Sequence, residues 1–85
     1  MTKLEEKLIQ LGYSEWCYSL DYKTYIKIYN HKSDLNIHVT NNKDEIIDWF
    51  VYVEEFTFKT QEGINDLQQA FNQLQADLKE LKECI

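Results

Sequence analysis

Seven large apolar residues near the C-terminus, Ile64, Leu67, Phe71, Leu74, Leu78, Leu81 and Ile85, recur in alternating steps of three and four. Steps that average about 3.5 residues place these side chains in one narrow apolar seam on an α-helix. A helix over 64–85 is about 33 Å long at roughly 1.5 Å per residue. A strand of about six residues covers only about 20 Å. One small sheet therefore cannot bury the whole seam, and a second helix is needed, in the chain or on a partner. The flanks of the seam are Gln68, Ala70, Gln75, Asp77, Lys82 and Cys84, fewer charges than a dedicated zipper carries. The reading favours packing inside the chain for the first half. The last two turns, Leu78 to Ile85, are expected to overhang. The alternative use of the seam is a homodimer through Leu74, Leu78, Leu81 and Ile85.

At the other end, Thr2 and Glu5 have capping-box spacing, and Leu4, Leu8, Ile9 and Leu11 mark one helical face. Gly12 suits the left-handed cap that ends such a helix. Between the two helices the period changes to two. Trp16, Tyr18 and Leu20, then Ile26 and Ile28, then Leu35, Ile37 and Val39 alternate with smaller or polar residues, as half-buried antiparallel strands do. Turns are expected at 21–23, 31–34 and 41–43, the Asn41–Asn42 pair being suited to positive φ. Residues 46–53 are apolar on both faces apart from Asp48, which predicts a central strand. Phe56–Phe58 reads as its bulged continuation or a short edge strand, and Thr60 as the cap of the long helix. The expected fold is α+β: a short N-terminal helix, an antiparallel meander sheet of three to four strands and a long C-terminal helix. Residues 1–85 make a single domain, with both helices on one face of the sheet.

The charge is localised. The net charge is -6, and residues 44–66 hold Asp44, Glu45, Asp48, Glu54, Glu55, Glu62 and Asp66 against Lys59 alone. A field of one sign steers a basic partner toward one surface. All nine basic residues are Lys, so the rigid bidentate fork with which Arg reads phosphates and guanine edges is missing. Direct nucleic-acid binding is not expected. Nor is a membrane: no apolar run approaches the roughly 20 residues of a span, and MTKLEEKL does not read as a signal peptide. The expected location is cytoplasmic, with Cys17 and Cys84 as free thiols.

No catalytic or metal motif stands out. His31 and His38 have no further ligand nearby in sequence, and Asp44, Glu45 and Asp48 lack the spacing of a calcium loop. Glu54 and Glu55 are adjacent, so on a strand they point to opposite faces and cannot act as one acid/base pair. The expectation is no enzyme activity, no cofactor and no metal. Tyr25 and Tyr29 flank Lys27 on one strand, and Tyr contributes contact area at low entropy cost. A protein-binding surface is therefore expected from Asp44, Glu45, Asp48, Glu54, Glu55 and Glu62 with Tyr25 and Tyr29.

The segments LEEKLIQLGY (Leu4–Tyr13) and QEGINDLQQAFNQLQADLKEL (Gln61–Leu81) give the chain a resemblance to small acidic proteins of prophages and mobile elements in low-GC Gram-positive bacteria. The resemblance implies a role in host interaction or counter-defence, of which anti-CRISPR inhibitors are one group. It carries over no site residues, because that group shares size and acidity rather than sequence. The leading expectation is a non-catalytic, phage-encoded inhibitor acting in the host cytoplasm. Its acidic surface would dock on a larger protein with a basic, nucleic-acid-handling groove, such as a CRISPR effector. Two further expectations stand beside it: a homodimeric scaffold built on the helical seam, and a sponge for a small signalling nucleotide.

Overall fold

The computed structural model describes residues 1–84 and, within them, the side chains of all but residues 17, 18, 56 and 57. Ile85, one of the expected seam residues, lies outside the described residues, as does the side chain of Cys17. The element order is α1 (Lys3–Gln10), β1 (Ser14–Tyr18), β2 (Lys23–Asn30), β3 (Ser33–Val39), β4 (Ile46–Val53), a 3₁₀ turn (Glu55–Lys59) and α2 (Gln61–Lys82). The strands form one antiparallel sheet in the order β1-β2-β3-β4. The α+β meander expected from the sequence is thus the fold of the protein.

Local chemistry sets the ends of both helices. The Thr2 side chain accepts a hydrogen bond from the Glu5 N–H at 3.1 Å, and that of Thr60 accepts one from the Gly63 N–H at 3.0 Å; each satisfies a donor the helix leaves unpaired. After α1, Gly12 takes φ of 101°, its N–H donates to the Ile9 carbonyl at 3.0 Å, and the Tyr13 N–H donates to the Leu8 carbonyl at 2.9 Å. These paired bonds are the Schellman arrangement, and they turn the chain directly into β1. The turn before β4 departs from expectation: the positive φ falls on Lys43, at 60°, rather than on either asparagine. Tertiary contacts hold it there. The Lys43 carbonyl accepts the Thr2 hydroxyl, and its ammonium lies 2.8 Å from both Glu5 and Glu15.

One face of the sheet carries the core. Cross-strand partners Tyr25 and Ile37, and Leu35 next to Val51, share that face. Leu4 and Leu8 of α1 pack there with Leu74, Leu78 and Leu81 of α2 and with Val39. Ala70, also in this core, is fully buried. Both helices cover the same side.

Three expectations change. Residues 46–53 form an edge strand, not the central one: β4 pairs with β3 alone. Residues 55–59 form the 3₁₀ turn, not a strand. On α2 the seam is occupied in the reverse order. Its second half, Leu74, Leu78 and Leu81, is buried in the core, whereas Ile64 and Phe71 in the first half are each 43% exposed. The buried stripe of α2 includes Gly63, Ala70, Leu74, Asp77 and Leu81, rotated from the row of large apolar residues. Ala70, fully buried in the core, thus takes a place on the covered face, while Ile64 and Phe71 stand at its flank. Leu74, Leu78 and Leu81 are therefore occupied within the chain, so the expected dimer seam is not a free surface.

Candidate functional site at the outer edge of the sheet

The acids singled out in the sequence lie along the margin made by β4 and its two ends. Asp44 and Glu45 close the turn before it, where the Thr40 hydroxyl bonds the Asp44 carboxylate at 2.7 Å and accepts from both backbone N–H groups at 3.3 Å. Glu54 and Glu55 follow the strand, and the Glu54 N–H donates to the Lys32 carbonyl at 3.3 Å. Glu62 stands in the first turn of α2. The nine residue steps between Glu45 and Glu54 measure about 30 Å at roughly 3.3 Å each, so these carboxylates form two groups rather than one patch. Among the described residues, Glu45, Glu54, Glu55, Glu62 and Asp66 have no cationic side chain within ion-pair distance. Asp48 differs: its Oδ1 lies 2.6 Å from His38 Nδ1. The His38 ring is in turn held between Tyr22, at a centroid distance of 4.4 Å, and Phe50 at 5.4 Å.

The strand between the acidic ends is apolar on both sides. Trp49, Phe50 and Tyr52 are 38%, 43% and 58% exposed. A groove of about 450 Å³ runs between this strand and α2, lined by Trp49, Phe50, Val51, Leu67, Gln68 and Phe71. It exists because the first half of α2 reaches across the sheet to its last strand, with no fifth strand beneath it. The Lys82 ammonium lies over the Trp49 ring, 5.4 Å from its centre, a cation–π contact.

Two of the expected partner-binding residues belong elsewhere. Tyr25 is 1% exposed, and its hydroxyl donates to the carboxylate of Glu5, with Glu15 at 3.4 Å. It sits on the helix-covered face opposite Ile37, where it cannot meet a partner. Tyr29 is half-buried against the same core. The aromatic surface lies instead on β4, in residues that a central-strand reading places inside.

Two internal ion clusters engage Glu5, Glu15 and Asp77. Around Lys43, Glu5 and Glu15 converge on one ammonium. Hydrogen bonds from Lys43 and Tyr25 hold the Glu5 carboxyl below its ordinary value of 4.5. Bonds to Glu15 and then to Glu5 push Lys43 upward, and burial followed by the bond to Glu5 pushes Tyr25 upward. In the core, Asp77 is 2% exposed and accepts from the Tyr13 hydroxyl at 2.9 Å, from Lys27 at 3.0 Å and from the Gln73 amide at 2.9 Å. Burial, then the bond to Asp77, raises the Tyr13 hydroxyl far above its ordinary range. A fully bonded buried carboxylate of this kind orients elements, here α2 against β2 and the segment after α1. It lines neither the β4 groove nor the depression between α1 and the end of α2.

No protein-family model, curated protein or solved structure matches this chain. Among the described residues no three His, Cys, Asp or Glu side chains gather as metal ligands, and no helix is long and apolar enough to cross a membrane.

Proposed function

We propose that the chain is a non-catalytic binding protein that docks its β4 margin on a basic surface of a larger, nucleic-acid-handling protein in the host cytoplasm. The observation that carries the reading is that unpaired carboxylates bracket an exposed aromatic strand. Carboxylates at the rim steer the encounter and set register, while desolvation of Trp49, Phe50 and Tyr52 supplies affinity. The two halves of this design sit on one continuous margin, whereas Glu5, Glu15, Asp77 and Glu80 are engaged by the protein's own lysines. The resemblance in Leu4–Tyr13 and Gln61–Leu81 supports the more specific form, a phage-encoded counter-defence inhibitor of which a CRISPR effector is one fitting target.

Charge reversal tests it. The double variant Glu54→Lys/Glu55→Lys changes exposed positions and leaves the core untouched. Captured side by side from a lysate of the source organism at low and high salt, basic proteins retained by the wild type should be lost with the variant. Retention should also weaken as salt rises. Equal retention by both forms, with no salt dependence, would remove the docking reading.

A further inference from the structure

β4 is eight residues long and apolar on both faces, and it pairs on one side only. Edge strands of this length are normally blunted, by an inward charge, a proline, a bulge or a covering helix, because their free N–H and C=O groups template another strand. Here the chain has no proline, and the only charge within the strand, Asp48, is turned to His38 on the sheet's uncovered face. The irregularity in its pairing lies at its very start, between His38 and Val39 on β3. The remaining strand is an open template. Beside it, the overhanging half of α2 provides Leu67 and Phe71 above the place a next strand would occupy.

On the reading that this margin is the binding surface, we infer that β4 receives an extended segment of the partner protein as a fifth strand. The chemistry of that segment follows from the margin. Its backbone continues the ladder, and its alternate apolar side chains on one side enter the groove between Trp49, Val51, Leu67 and Phe71. Basic residues at both of its ends meet Asp44 and Glu45 at one end and Glu54 and Glu55 at the other. Because both ends of β4 are acidic, either strand direction satisfies this pattern.

A second copy of the chain does not fit the same edge. Antiparallel pairing of two β4 strands sets Asp44 and Glu45 of each copy against Glu54 and Glu55 of the other, at both ends. Parallel pairing sets like on like. Carboxylates directly opposed across strands are destabilising, and each copy already carries a net charge of -6. The occupant is therefore a cationic-ended strand from a different protein.

The probe is a fluorescein-labelled peptide of about twelve residues, long enough to cover the roughly 30 Å between the acidic groups. It alternates Val or Ile with Thr and ends in lysine pairs. Two companions accompany it: one with the lysines replaced by glutamates, the other with backbone N-methyl groups at alternate residues. The lysine peptide should bind and should slow hydrogen exchange of the β4 amides. N-methylation and the glutamate ends should each weaken binding at least tenfold, as should Leu67→Glu/Phe71→Glu in the protein, a change at partly exposed positions whose folding is checked by circular dichroism. If the lysine and N-methyl peptides bind equally and both fail on Glu54→Lys/Glu55→Lys, the acidic docking surface stands and strand addition falls. Absence of binding by the lysine peptide, with wild-type capture in the lysate unchanged, likewise overturns strand addition alone. A dimer of the free chain in sedimentation that excludes the peptide would give the edge to a second copy and overturn the proposal.

Discussion

The two halves of α2 are written in the same apolar spacing and end in opposite environments. From Leu74 to Leu81 the helix is part of the core, closed over by β3 and α1, with Leu74, Leu78 and Leu81 at most 2% exposed. From Ile64 to Phe71 the large apolar residues stand out beside an edge strand, over a groove with no strand under it. The difference shows that a seam counted along one helix measures what needs covering, not what covers it. In this protein the chain covers one half and leaves the other as the apolar part of its candidate interface.

The comparison breaks most readily through core truncation. Leu74→Ala should cost about 2–5 kcal/mol, whereas Phe71→Ala should cost less than about 1 kcal/mol because little is lost to a cavity. Urea unfolding of the two variants measures both; equal midpoints would mean that the halves are not distinct. Next in size is the buried ion cluster on the closed half. Lys27→Met strands the Asp77 carboxylate and should cost about 3 kcal/mol, most of which returns when Asp77→Leu is added. A double variant no more stable than Lys27→Met would show that the pairing is not what the site requires.

The smallest effect sharpens the acid–base side of the same contrast. Glu5 titrates below 4.5 in the folded chain because Lys43 and Tyr25 bond its charged form. A depressed carboxyl stabilises the fold above its unfolded value and loses that contribution as pH falls through the lowered folded value. Glu5→Gln should therefore flatten the loss of stability below about pH 4.5 relative to the wild type, and leave neutral-pH salt dependence of partner capture unchanged. The exposed acids of the β4 margin should show the converse. Glu54→Gln/Glu55→Gln should change capture and its salt dependence while leaving the acid unfolding curve nearly as it was. Thermal unfolding followed across pH separates the two variants.

Much of the architecture was legible because it rests on local rules. Thr2 and Thr60 cap helices where a hydroxyl three residues ahead of an N–H is expected to, and Gly12 takes the positive φ that ends α1. The period-two segments became strands, with the Leu35, Ile37 and Val39 face inward on β3. On β2 the covered face carries Tyr25 instead of Ile26 and Ile28; Ile28 and Trp16 are about two-thirds exposed, and Leu20 lies beyond β1. The candidate site was legible only in part. The acids at 44–55 were visible as charge, but their division between two ends of a strand depends on β4 being extended. Trp49 and Phe50 read as interior from the sequence, and Phe71 as part of a covered seam, because an edge strand beside a helix is apolar on both faces, as a central strand is. The buried stripe of α2 runs through Gly63, Ala70 and Asp77 as well as Leu74, Leu78 and Leu81, residues that a count of large apolar side chains passes over in part. Asp77 hid the same stripe by being polar, and only the convergence of Tyr13, Lys27 and Gln73 explains its burial.

By itself the sequence determined the periods, the caps and the total of apolar and acidic side chains, since these depend on residues a few positions apart. Tertiary packing decided which strand lies outermost, which half of α2 is covered and which carboxylates find a lysine. Those outcomes turn on how closely α2 approaches the sheet and where it crosses, a balance among contacts distant in the chain that spacing along one segment cannot express.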